Sequence, residues 1–150
     1  MMIRPLLLLT ALCYNTLVFS QANTFDFTFD HQAFMVSDLT KSADFYANIL
    51  GLKEIDNKTG KSTRRWFSVG GDRSIHLIAG DNSKVVLNKT IHLALKTSNF
   101  EGFVQYLEKN QIEYWDWEGA KNKVAVRNDG AKQVYIQDPD GYWIEINNDI

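Results

Sequence analysis

The sequence predicts an α+β fold built from two βαβββ modules within one domain. Three observations predict it. The chain has 150 residues, a length that suits one domain with a sizeable core. Strand-type and helix-type patterns alternate along it, with no Pro- or Ser-rich linker after residue 21. The order β-α-β-β-β occurs twice, and His31 and His92, Ala33 and Ala94, and Ser37 and Ser98 align at an offset of 61.

Residues 27–36 (FTFDHQAFMV) have strand propensity, with Phe29, His31, Ala33 and Met35 on one face at period two. Ser37 and Asp38 can cap a helix over 39–50, whose Leu39, Ala43, Tyr46 and Leu50 share a face and which Gly51 stops. Short strands are predicted over 53–56, 64–69 and 73–78, with turns at 57–60 and 70–72. The order then restarts. Residues 90–96 (TIHLALK) read as a strand, and Ser98 or Asn99 caps a helix over 100–109. Strands are predicted over 112–117, 133–137 and 142–147. Asp138-Pro139-Asp140-Gly141 has the composition of a type I turn.

Charge narrows the partners. Sixteen Lys and Arg stand against 18 Asp and Glu, so no basic field favours nucleic acid or anionic membrane surfaces. A single Cys excludes a disulfide framework. Residues 1–20 (MMIRPLLLLTALCYNTLVFS) carry one positive charge, a short apolar run, and Val18 and Ser20 at the −3 and −1 positions of a cleavage site. They predict a secretory signal peptide and export to a periplasm or the medium. Cleavage after Ser20 removes Cys13, so the exported domain has neither a thiol nucleophile nor thiolate metal ligands.

The chemistry then rests on other groups. His31 lies in the first strand of the first module and His92 in the first strand of the second. His76 lies in the last strand of the first module, and Glu145 holds the matching place in the second. Apolar neighbours flank His76, His92 and Glu145, which puts the polar side chains on the other face of each strand. If the two modules face each other, three imidazoles and a carboxylate converge. That donor set suits Zn, Ni, Fe(II), Co or Mn. Trp66, Trp115, Trp117, Trp143 and Tyr142 are candidates to line a cavity, or else core or interface aromatics. Arg64, Arg65 and Arg127 are candidate anion-binding residues, or else solvated surface charges.

With HQAFMVSDLTKSADFYANILGLK (31–53), SIHLI (74–78), IHLALKTSN (91–99) and DPDGYWIEI (138–146) in view, the chain resembles the vicinal oxygen chelate superfamily, and within it glyoxalase I-type single-domain proteins. The resemblance covers nearly all of 27–148. It implies two βαβββ modules forming a curved mixed sheet around a divalent metal held by His31, His76, His92 and Glu145. It also implies a homodimer in which the site can be assembled from both subunits. The implied activity is that of a metal-dependent lyase or isomerase on a small substrate with vicinal oxygens, with Glu145 as the base. An Fe(II)-dependent dioxygenase and a non-enzymatic binding or resistance protein are the alternatives within the superfamily. Two departures bear on the substrate. Glyoxalase I usually has Glu where this chain has His76. The stretch Phe45 to Gly51 also lacks the basic residue of glutathione-binding members. Both point away from glutathione.

Overall fold

The computed structural model describes residues 25–149. The predicted signal peptide over 1–20 lies outside the described residues. No helix among the described residues is long and apolar enough to cross a membrane.

The first module runs through β1 (His31–Val36), α1 (Leu39–Asp44), a π-helical turn (Phe45–Ile49), β2 (Lys53–Ile55), β3 (Arg64–Ser68) and β4 (Ser74–Ala79). The second runs through β5 (Leu93–Lys96), α2 (Phe100–Lys109), β6 (Ala125–Val126), β7 (Lys132–Gln137) and β8 (Trp143–Asn147). Each makes a four-stranded sheet, in the order β1-β4-β3-β2 and β5-β8-β7-β6. The outer pairs β1–β4 and β5–β8 are parallel and the others antiparallel. The two modules therefore share one topology, as the repeat predicts.

Local chemistry explains the boundaries. The Asp38 carboxylate accepts from the N–H groups of Thr40 and Lys41, both at 3.0 Å, and starts α1. The predicted helix over 39–50 changes winding at Phe45. There the Leu50 N–H reaches the Phe45 carbonyl five residues back at 3.2 Å. Gly51 follows at φ +65°, a left-handed exit that glycine takes without a Cβ penalty.

Period two sorts the strands. Phe34, Val36, Phe67, Ile75 and Leu77 of the first sheet point to a core shared with Val134, Ile136, Ile144 and Ile146 of the second. Tyr46, Phe100 and Leu107 close that core from the helical side. Each fully buried large apolar side chain contributes about 1.5–3 kcal/mol. The opposite faces carry the polar residues. On the first sheet this second face is open along β1, where His31, Ala33 and Met35 are exposed, while Trp66 and His76 are half-buried and Ser74 is buried. On the second sheet Tyr135, Glu145 and Asn147 are buried on theirs.

Three strand expectations are corrected, the first being that the strand expected over 27–36 begins only at His31. Residues 112–117 form no strand, and only Trp115 bridges, to Tyr135 and Lys121. Asp116 explains this: its carboxylate accepts from the Ala120 N–H at 2.7 Å and its carbonyl from Gly119, so the chain turns back. The strand in that place is instead the two-residue β6. The strand expected over 90–96 begins only at Leu93, because the Ile91 N–H closes a turn on the Asn88 carbonyl at 2.9 Å.

The modules are tied by hydrogen bonds at the 138–141 turn. The Gly141 N–H meets the Asp138 carbonyl at 3.0 Å, which closes the predicted turn. Asp140 accepts from the Ser37 N–H (2.8 Å), the Ser37 hydroxyl (2.6 Å), the Ser42 hydroxyl (2.8 Å) and the Asn82 amide (2.7 Å). Asp138 accepts from the Tyr46 hydroxyl at 3.1 Å, and Tyr142 donates to the Met35 carbonyl at 2.9 Å.

Candidate metal centre

The predicted ligands stand as two pairs, one on each sheet. In the first, the His31 and His76 rings stack with centroids 4.1 Å apart, and Trp66 stacks on the other face of His76 at 3.8 Å. Trp66 lies opposite His76 in the β3–β4 register, which places the ring there. His31 Nδ1 bonds to the Asp30 carboxylate, leaving Nε2 free. His76 Nε2 meets the Ser74 hydroxyl at 2.9 Å. Burial, and then the neighbouring His31, push the His76 imidazole below its ordinary range, favouring the neutral form that binds metals. The Trp66 indole N–H is buried without a partner.

The second pair is tighter. His92 Nε2 lies 3.2 Å from Glu145 Oε2. The other His92 nitrogen, Nδ1, is 2.8 Å from the Lys89 carbonyl. Glu145 is also held by the Tyr135 hydroxyl on Oε2 and the Asn147 amide on Oε1, each at 2.6 Å. Tyr135 in turn accepts from the Gln133 amide at 3.1 Å. Burial, then the bond to Glu145, push the Tyr135 phenol well above its ordinary range, so it stays a donor.

Within one chain the two pairs do not merge. Among the described residues, no three His, Cys, Asp or Glu side chains gather closely enough to share one ion. The pairs are nonetheless equivalent. Ala33 pairs with His76 and Ala94 with Glu145, while Trp66 faces His76 as Tyr135 faces Glu145.

Around His92 and Glu145 the aromatics gather. Trp117 and Tyr135 present edges to His92 at 6.4 and 5.4 Å, and Trp115 meets Trp143 at 5.4 Å. Trp117 remains exposed. Tyr142 lies instead against Phe34, with its hydroxyl on the Met35 carbonyl. Arg65 is engaged by Glu54, and Arg127 by Asp129 and Asp149, so neither is a free anion binder. Among the described residues Arg64 enters no ion pair.

Sequence reasoning did not single out Tyr135, Asn147, Lys89 or Asp30 for this site. For Tyr135 a signal existed: it precedes Glu145 by the same ten residues that separate Trp66 from His76. For Lys89 there was none, because its contacts reach residues 116 and 117 across a loop.

Two βαβββ modules of one topology, each forming a mixed four-stranded sheet, define the vicinal oxygen chelate type of fold. This chain belongs to the glyoxalase/bleomycin resistance protein/dioxygenase superfamily, whose family model matches residues 28–146. It is 31% identical over 122 residues to YwbC, an uncharacterized protein of Bacillus subtilis, spanning 77% of this chain and 93% of that one. It is 29% identical over 126 residues to the metallothiol transferase FosB of Staphylococcus saprophyticus, spanning 79% of this chain and 74% of that one. Among solved structures, a protein assigned to the glyoxalase family from Bacillus anthracis superposes with a TM-score of 0.67 at 26% identity, over 86% of this chain and 100% of that one. The oxidase ChaP-H2 shares the fold, with a TM-score of 0.64 at 18% identity over 84% of this chain and 96% of that one.

Proposed function

We propose that this protein is an exported, metal-dependent lyase or isomerase that acts on a small substrate with vicinal oxygens and does not use glutathione. One divalent cation, Zn, Ni, Fe(II), Co or Mn, is held by His31, His76, His92 and Glu145. The observation that carries the reading is the His92–Glu145 pair. The Lys89 carbonyl can only accept, so His92 Nδ1 carries hydrogen and Nε2 is the ring nitrogen turned to Glu145. Nε2 stands 3.2 Å from a carboxylate oxygen, close enough for both atoms to take one cation. A proton on Nε2 makes this an ordinary ion pair, and a divalent cation can take that proton's place, because an imidazole–carboxylate set suits these metals.

A single ion can meet all four residues when the open face of the first sheet in one copy covers the second sheet of another. A homodimer is therefore part of the proposal. The exposed Ala33 and Met35 beside His31 support it.

When bound, the cation supplies Lewis-acid polarisation of the substrate oxygens. The protein's own residues do the rest. Glu145 moves the proton at the carbon next to the polarised oxygen. Tyr135 and Asn147 each hold one of its oxygens and fix its plane. Trp117 stands beside His92, its ring centroid 6.4 Å from that of the imidazole, where it can contact the substrate.

Elemental analysis of the purified protein should find about one metal per site, a stoichiometry set by the ligand count. His76→Ala combined with His92→Ala should remove it, and full metal retention by that double variant would refute the ligand set. Sedimentation should show a dimer. Export is checked by N-terminal sequencing of the secreted protein, which should begin at Gln21. Oxygen uptake with a catechol, lost on chelation, would instead select the dioxygenase activity.

A further inference from the structure

We propose that Lys89 is a positioning residue of this site, fixing the donor atom of His92 and clamping the tryptophan segment 115–117 over the second sheet. The link to metal rests on the reading of His92 as a ligand. The positional claim does not.

His92 lies one residue before β5, so no strand pairing orients it. The segment ahead of it forms no strand, and Val85, Val86 and Leu87 are exposed. What precedes His92 is a turn. The Thr90 N–H and hydroxyl both bond to the Asn88 side-chain oxygen at 3.0 Å, and the Ile91 N–H bonds to the Asn88 carbonyl at 2.9 Å. This turn aims the Lys89 carbonyl at His92 Nδ1.

The turn needs an anchor, and the Lys89 ammonium is that anchor. It donates to the carbonyls of Asp116 (2.9 Å) and Trp117 (3.2 Å). It also sits 4.8 Å from the Trp143 ring centroid and 5.5 Å from that of Tyr135. Two carbonyl dipoles and two ring faces form a cradle shaped for an ammonium. The cradle is itself rigid. Asp116 is buried, its carboxylate bonds to the Ala120 N–H and pairs with Lys123 at 2.9 Å, and Trp115 exchanges backbone bonds with Tyr135.

One residue thus joins both halves of the neighbourhood. Its carbonyl accepts from His92 Nδ1, and its ammonium anchors the turn that places that carbonyl. The same ammonium rests on Tyr135, whose hydroxyl holds Glu145. In the neutral ring the Lys89 carbonyl competes with the Glu145 carboxylate for the single hydrogen, and the shorter contact, 2.8 against 3.2 Å, favours Nδ1–H and leaves Nε2 as the ligating atom.

The test uses the full chain, stripped of metal and labelled with 15N-histidine, at a pH above the histidine titration. The native protein should show His92 with its proton on Nδ1. Lys89→Met should shift it toward the Nε2–H form and make tryptophan fluorescence more accessible to acrylamide. Lys89→Arg, which keeps charge and donors, should restore both signals. Lys89→Ala with added propylammonium should regain native quenching but not the tautomer, because the refilled cradle is no longer tethered to the carbonyl of residue 89. A Lys89→Met protein that keeps the Nδ1–H tautomer and native quenching would overturn the proposal, as would failure of Lys89→Arg to restore both signals. In a separate measurement, zinc affinity should fall roughly tenfold in Lys89→Met, the lower end for residues that orient a ligand. A native protein that binds no zinc yet shows the tautomer shift would refute the metal reading and leave the role of Lys89 standing.

Discussion

Replacing Asp140 with Ala should cost about 3 kcal/mol of stability, and the structure shows where the loss arises. The carboxylate takes four hydrogen bonds, three on Oδ1 and one on Oδ2. Burial raises its pKa, but the bonds from Ser37, Ser42 and Asn82 outweigh that and hold it below the ordinary range. Ser37 is exposed and Asn82 half-buried, so water can replace the carboxylate there and each loss costs about 0.5 kcal/mol. Ser42 is fully buried. Its stranded hydroxyl costs a further ~1–3 kcal/mol. The assay is urea unfolding followed by tryptophan fluorescence, with midpoint and slope both fitted. Ser42→Ala in the Asp140→Ala background should recover about 1 kcal/mol, because no hydroxyl is then left unpaired. A loss below about 0.5 kcal/mol for Asp140→Ala, the size of an ordinary surface substitution, would refute the argument. So would strict additivity of the two substitutions.

Other expectations follow from the same contacts. Burial raises the Asp138 carboxyl to about 6, against the opposing bonds from Tyr142, Asp140 and Tyr46. The folded state therefore holds a proton that the unfolded chain releases near pH 4. That contribution is full below pH ~4 and is lost as pH rises through ~6, to a total of about 3 kcal/mol by linkage. Wild-type stability measured relative to Asp138→Asn should fall between pH 4 and pH 7, and a flat difference would contradict the assignment. Tyr135→Phe removes one of the bonds to Glu145 and strands the Gln133 amide. About 2 kcal/mol should be lost in urea unfolding, from a buried charged hydrogen bond and an unpaired donor. Gly51→Ala meets no atom within 4 Å, but φ is +65°. Its cost should be about 1 kcal/mol from backbone strain alone, seen as a small drop in melting temperature.

What the sequence revealed, and what it hid, divides by range. Strand parity placed His31, His76, His92 and Glu145 on the faces away from the core, and Ile75, Leu77, Ile144 and Ile146 in it, because period two is a local property. The 138–141 turn was legible from Pro139 and Gly141. Its larger role was not, since the partners of Asp140 lie 58 to 103 residues away and no spacing rule connects them. The alternation in 112–117 imitated a strand because a buried Asp116 looks like any polar residue until its turn is seen. Helical periodicity likewise ran through Phe45, where one i+5 bond changes the winding without altering which residues are apolar. Lys89 read only as an ordinary charge between Asn88 and Thr90, and its cradle exists only after residues 116, 117, 135 and 143 have come together.

Each chain carries two unlike residue pairs, two histidines on one sheet and a histidine with a glutamate on the other. In the proposed dimer this has a consequence for inheritance rather than chemistry. A chain lacking His76 and a chain lacking Glu145 are each inactive among their own kind. When the two meet, both lesions fall in one of the two shared sites, and the other is assembled from intact halves. Two defective alleles expressed together would restore function that neither supplies alone, while two alleles damaged on the same sheet would not.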